Sequence, residues 1–100
     1  MDYAETIRAH YIDGNWIEDS DHSQNINPSN TADIIGRFAR GDAGRVDQAV
    51  TAAADAQPGW ADASPQIRHD VLEKAGALII ARKDELGRLL AREEGKTLAE

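Results

Sequence analysis

Tyr11-Ile12-Asp13-Gly14-Asn15-Trp16-Ile17 is the stretch on which the reading of this chain turns. Tyr11-Ile12 and Trp16-Ile17 are β-favouring pairs, and the Asp13-Gly14 between them suits the positive φ angles of a two-residue hairpin turn. The stretch therefore reads as a β-hairpin. Alone, such a hairpin is marginal in water, so its strands need packing from elsewhere.

Outward from the hairpin, residues 1–9 carry no clear pattern and read as an N-terminal arm, frayed or briefly helical. Residues 18–23 are polar and read as a loop. Asn25-Ile26-Asn27 is expected to be extended, because Pro28 disfavours helical angles at Asn27. Ser29-Asn30-Thr31 is turn chemistry. Asp33 to Ala39 reads as a further strand, with Ile34, Ile35 and Phe38 as its apolar content. Residues 10–40 thus hold the hairpin and extended strands, and residues 41–100 the helices.

Asp42 suits the N-cap of a helix from Ala43 to about residue 57, where Pro58-Gly59 is expected to stop it ahead of Trp60. Val46, Ala49, Val50 and Ala53 make one narrow face of that helix. Ser64-Pro65 is the clearest helix start, a capping serine with proline in the first helical position. Ile67, Val71, Ala75, Leu78 and Ile79 then form an apolar stripe, widened by Leu72. Asp84 can cap a third helix carrying Leu86, Leu89 and Leu90, with Gly95 where a C-cap glycine belongs. There is no internal repeat, low-complexity tract or evident domain boundary.

The composition is 41% hydrophobic and 29% charged, that of a globular protein. Alanine supplies much of the apolar share and buries little area, so large core side chains are scarce. A formal net charge of -7 argues against nucleic acid or an anionic membrane as a partner. The absence of cysteine removes disulfides and thiolate chemistry from this segment. No stretch is long enough to span a bilayer, and the acidic start is unlike a signal peptide, so a cytoplasmic location is expected.

Candidate chemistry resolves mostly into structural readings. Gly95-Lys96-Thr97 matches the end of a phosphate loop, but that motif needs glycine where Leu90 stands and a preceding strand where a helix is predicted. His10, His22 and His69 fit no common metal-site spacing and read as surface histidines. Asp84-Glu85 and Glu93-Glu94 are helix neighbours about 100° apart, unable to converge on one atom as an acid/base pair. No glycine-rich strand-to-helix unit for a dinucleotide is present. The residues themselves show no active site.

The order of the phrases resembles the opening of the aldehyde dehydrogenase superfamily. Its Ile-x-Gly-x-Trp hairpin is matched by Ile12 to Trp16, its Asn-Pro by Asn27-Pro28, and its Ile-Gly strand by Ile35-Gly36. An alanine-rich helix and a tryptophan follow at Val46–Ala56 and Trp60, and Glu-x-Gly-Lys is matched by Glu93-Glu94-Gly95-Lys96. The resemblance runs from about residue 10 to residue 100.

It implies an α/β fold, incomplete in this chain: the N-terminal β-hairpin and the first helices of a Rossmann-like cofactor-binding domain. The implied function is that of an NAD- or NADP-dependent oxidoreductase. A cysteine thiolate attacks an aldehyde, hydride passes to NAD(P)+, and water releases a carboxylic acid from the thioester. The catalytic and cofactor-binding residues of the family have no match here and are expected beyond Glu100, the whole enzyme being a homodimer or homotetramer. The resemblance also implies a monovalent cation between the Ile26 backbone oxygen and the Glu93 side chain, where the family often has aspartate; a solvated surface glutamate is the other reading. The wording around Asn27–Gly36 and Ala91–Thr97 resembles the branch acting on 2-oxoglutarate semialdehyde, with other semialdehydes and betaine aldehyde open. The rival to all of this is a free-standing helical interaction module, its Ile67–Ile79 stripe buried against the Leu86/Leu89/Leu90 face or against a partner.

Overall fold

The computed structural model describes residues 7–100, beginning with a short strand β1 (Ile7–Arg8). Strands β2 (His10–Ile12) and β3 (Asn15–Ile17) follow, then β4 (His22–Ile26) and β5 (Ile34–Ala39). The helices are α1 (Ala43–Asp62), α2 (Pro65–Ala81) and α3 (Lys83–Glu94).

β2 and β3 form the expected antiparallel hairpin, with Tyr11 opposite Trp16 and their rings 4.8 Å apart. Asp13 and Gly14 take φ of 51° and 75°, the left-handed geometry such a turn demands. An added Cβ at Gly14 would meet nothing within 4 Å. Gly14→Ala is therefore expected to cost only the backbone penalty, about 1 kcal/mol, read as a shift in the denaturant midpoint.

The second sheet has the order β1-β5-β4, with β1 parallel and β4 antiparallel to β5. Residues 1–6 of the N-terminal arm lie outside the described residues, but Ile7 and Arg8 pair with Arg37 and Phe38 instead of belonging to a patternless arm. The polar loop predicted for residues 18–23 is also shorter, because His22 and Ser23 already pair with Ala39 and Phe38. β4 is an edge strand with one side to solvent, so it needs no apolar alternation. The register slips between Asn25, opposite Gly36, and Ile26, opposite Ile34. Ile35 is the residue passed over, and at 1% exposure it is the most deeply buried large side chain described.

Asp42 caps α1 as expected, its carboxylate accepting the Arg45 N–H at 2.9 Å. The helix does not stop at Pro58-Gly59 but runs through both to Asp62. A proline removes one helical donor, a local loss that the alanine-rich turns on its N-terminal side tolerate here. The helix stops at its C-cap Ala63, already extended at φ -63° and ψ 147°, and Ser64 stays extended at φ -61° and ψ 151° as a residue before proline prefers. Ser64 also caps α2 by accepting the Ile67 N–H at 3.2 Å. α3 departs from the predicted Asp84 cap: Arg82 is the junction residue, and Asp84 and Glu85 lie in the first turn. There their charge suits the positive end of the helix, and Glu85 receives Arg82 through two bonds of 3.0 and 2.8 Å.

Among the described residues only Ile12 and Ile35 are buried hydrophobics. The α2 stripe is left open, with Ile67, Val71, Leu78 and Ile79 each more than half exposed. The radius of gyration is 16.9 Å, where a compact domain of this length would have about 13 Å. Both facts argue against a self-contained helical module. No helix among the described residues is long and apolar enough to cross a membrane.

Candidate functional site

Residues far apart in sequence are tied together where the β4–β5 connection meets the last turn of α3. Asn27 organises the connection: its side-chain oxygen accepts the Ser29 N–H at 2.9 Å and its backbone oxygen accepts the Asn30 N–H at 3.2 Å. Its own N–H donates to the Asp33 backbone oxygen at 3.0 Å, and its amide nitrogen to the Asp33 carboxylate at 3.1 Å. This is the Asx-turn behaviour that asparagine before proline favours.

Onto that frame the end of α3 docks with three handles. Arg92 donates twice to Asp33, at 3.0 and 2.6 Å. Glu93 accepts from the Asn25 amide at 2.9 Å, 68 residues away in sequence. The Ser29 hydroxyl donates to the Gly95 carbonyl. Gly95 ends α3 at φ 72°, its N–H and that of Lys96 both donating to the Ala91 carbonyl. The Gly-Lys-Thr phrase is thus a helix terminus, with Lys96 paired to Glu94 at 2.6 Å.

The fork from Arg92, then the Asn27 amide, holds the Asp33 carboxyl down at about 2, below its ordinary 3.8. A depressed acid stabilises the fold above its unfolded-state pKa and ceases to as it is protonated. The clamp's contribution is thus complete above about pH 4 and lost as pH falls towards 2. The melting temperature of Asp33→Asn is expected to lie below the parent's at pH 6 and to converge with it near pH 2, as followed by calorimetry across that range.

A second clip holds the hairpin to α1. Asp19 receives Arg45 through bonds of 3.1, 3.0 and 2.9 Å and His10 Nε2 lies 2.8 Å away. Arg45 foremost, and His10 after it, hold the Asp19 carboxyl below the ordinary range, and Asp19 raises Arg45 in turn. His10 is therefore a half-buried partner of a carboxylate, where its sequence suggested a surface position. His69 is exposed as expected, 3.2 Å from Asp70 and 3.6 Å from Glu73. One ligand atom from each of His69, Asp70 and Glu73 lies within 4.8 Å of the others, yet all three residues are exposed.

Of the two cation-ligand candidates, Ile26 ends β4 and Glu93 lies one residue from the end of α3. Asn25, adjacent to Ile26, binds Glu93 directly and so brings the two elements together. Sequence reasoning missed Asn25, Asp33 and Arg92, the residues that build the junction. The only signal was the Asn-Pro phrase itself, since pairs 59 and 68 residues apart leave no spacing to read. None of these residues is a nucleophile, and no two acids converge on a reacting atom. The junction's chemistry is positioning, with hard oxygens as its only ligand atoms.

The model of the aldehyde dehydrogenase family matches residues 16–100. The betaine aldehyde dehydrogenase of Rhizobium etli (strain CIAT 652) is 34% identical over 99 residues, which cover 97% of this chain and 20% of that protein. The alpha-ketoglutarate semialdehyde dehydrogenase of Haloferax volcanii is 32% identical over 92 residues, 90% of this chain and 19% of that protein. A solved structure of a 1-pyrroline-5-carboxylate dehydrogenase superposes with a TM-score of 0.85 at 28% identity, over 91% of this chain and 17% of that one. The chain therefore spans about one fifth of the length of these relatives. With the family match running from Trp16 in the hairpin's second strand through the Asn-Pro junction and all three helices, the chain belongs to the aldehyde dehydrogenase family.

Proposed function

We propose that these residues are the N-terminal part of an NAD- or NADP-dependent aldehyde dehydrogenase that oxidises an aldehyde to a carboxylic acid. The observation that carries this reading is the 0.85 superposition on a segment of a solved dehydrogenase, held by a chain with only two buried hydrophobics among its described residues. The exposed stripe of α2 and the exposed Tyr11–Trp16 pair are surfaces for the rest of such an enzyme and its oligomer to cover. The chain has no cysteine, so the nucleophile of the thioester mechanism comes from elsewhere in that enzyme. NAD(P)+, when bound there, supplies the hydride acceptor. This segment's own part is to close the first elements of the cofactor domain upon themselves through the Asp33–Arg92 and Asp19–Arg45 clamps.

The reading includes a monovalent cation held by the Ile26 carbonyl and the Glu93 carboxylate. The donor set suits it: both ligands are hard oxygens, and one carboxylate balances one positive charge.

For the substrate we propose 2-oxoglutarate semialdehyde, supported by the phrase resemblance and by the relative from Haloferax volcanii. The test is NAD(P)H formation by the protein purified from its own gene, across 2-oxoglutarate semialdehyde, glutarate semialdehyde and betaine aldehyde. The first is expected to lead in kcat/KM by about tenfold or more. A preference for betaine aldehyde overturns the substrate, and the absence of any aldehyde-dependent signal overturns the activity.

A further inference from the structure

We infer that Asn25 is the positioning residue of the Glu93 carboxylate, fixing one of its oxygens so that the other is left for a cation at the end of β4. The inference rests on the cation reading above and adds to it a residue that the motif does not contain. Asn25 Nδ2 donates to Glu93 Oε1 at 2.9 Å, and no hydrogen bond to Glu93 Oε2 occurs among the described residues. Glutamate has one more rotatable bond than aspartate, so an untethered Glu93 would lose more freedom on capturing an ion. The Asn25 amide removes part of that freedom beforehand, as an outer-shell hydrogen bond does for a metal ligand.

The backbone on both sides is arranged for this. On the strand, the register slip falls between Asn25 and Ile26, the kind of irregularity that re-aims a side chain at the end of a ladder. On the helix, Glu93 sits directly after Arg92, pinned to Asp33, and two residues before Gly95, pinned to Ser29. Its Cα therefore has little room to move, and the remaining freedom lies in the side chain that Asn25 holds. Glu93 also lines a cleft of about 300 Å³ with Arg8, Arg82 and Glu85. Arg82 is engaged by Glu85, and the competing role for Glu93 is that of a solvated carboxylate at the rim of that cleft.

The test uses the full-length protein purified from its own gene. Melting temperatures are measured while KCl or NaCl replaces choline chloride at constant ionic strength, for the parent, Glu93→Gln, Asn25→Ala and Asn25→Thr. Threonine keeps the strand propensity and removes the amide, so the two Asn25 variants guard against a folding artefact in either. The parent is expected to gain stability with K+ or Na+, and Glu93→Gln to lose that gain. Both Asn25 variants are expected to need about tenfold more cation for half of the shift. A cation response abolished by Glu93→Gln but unchanged in both Asn25 variants overturns the role of Asn25 and leaves the cation reading standing. A parent with no cation response, or a Glu93→Gln variant that keeps it, overturns the cation reading and this inference together. In the latter case a loss of stability that does not depend on the cation assigns Glu93 to its hydrogen bond with Asn25 alone.

Discussion

Gly95→Ala is expected to destabilise the full-length protein by about 2–4 kcal/mol, several times the effect of Gly14→Ala. The two glycines share nearly the same φ, 72° and 75°, so backbone conformation alone would make the substitutions equivalent. Their surroundings separate them. A Cβ at Gly95 would stand 2.7 Å from Pro28 Cγ, 2.7 Å from Ser29 Oγ and 3.2 Å from Ser29 N. The hydroxyl can rotate away only by giving up its bond to the Gly95 carbonyl. The Ser29 backbone cannot yield easily, because the Asn27 side chain holds its N–H. Relief therefore requires the end of α3 to lift from the β4–β5 connection, which strains the Arg92–Asp33 fork and the Asn25–Glu93 bond together. Denaturant midpoints for the two variants are the check, and equal shifts would show that the junction does not pack as described.

The second large effect concerns residues 1–100 expressed alone. Such a chain is expected to unfold without a sharp transition, to bind an apolar dye, and to show weak near-UV signals from its tryptophans. Trp16 is 72% exposed and Trp60 43%, so neither sits in a fixed apolar environment. Ile67, Val71, Leu72, Leu78, Ile79 and Ile80 are all more than half exposed along one helix. Burying a side chain of that kind contributes about 1.5–3 kcal/mol, a gain α2 does not obtain from the segment itself. A cooperative transition with native-like near-UV intensity would revive the self-contained module.

What could be read from the sequence was what a few adjacent residues decide. Asp13-Gly14 specified the hairpin because that pair readily takes the two positive φ angles of a type I′ turn. Ser64-Pro65 and Gly95 marked helix ends because their chemistry is local to the ends. Reading failed where a partner decided the outcome. His22-Ser23 looks like loop, and it becomes strand because β5 offers its edge. Pro58 looks like a stop, yet α1 passes through it, since one missing donor is a smaller loss than ending a helix already propagating. Ile7 and Arg8 had no pattern of their own, and pairing with β5 alone gives them one. The Ile26 and Glu93 candidates came from a phrase resemblance. The link between their elements through Asn25 became legible only once the fold had closed 68 residues of chain.

The measurement that bears most directly on the assignment of this chain to a larger dehydrogenase is the intact mass of the protein produced from its own gene. The chain weighs 10.9 kDa and spans 20% of its Rhizobium etli relative, so the expected mass is several times larger. A mature product of 10.9 kDa would contradict the account, because a chain of this sequence carries no thiol with which to form the thioester.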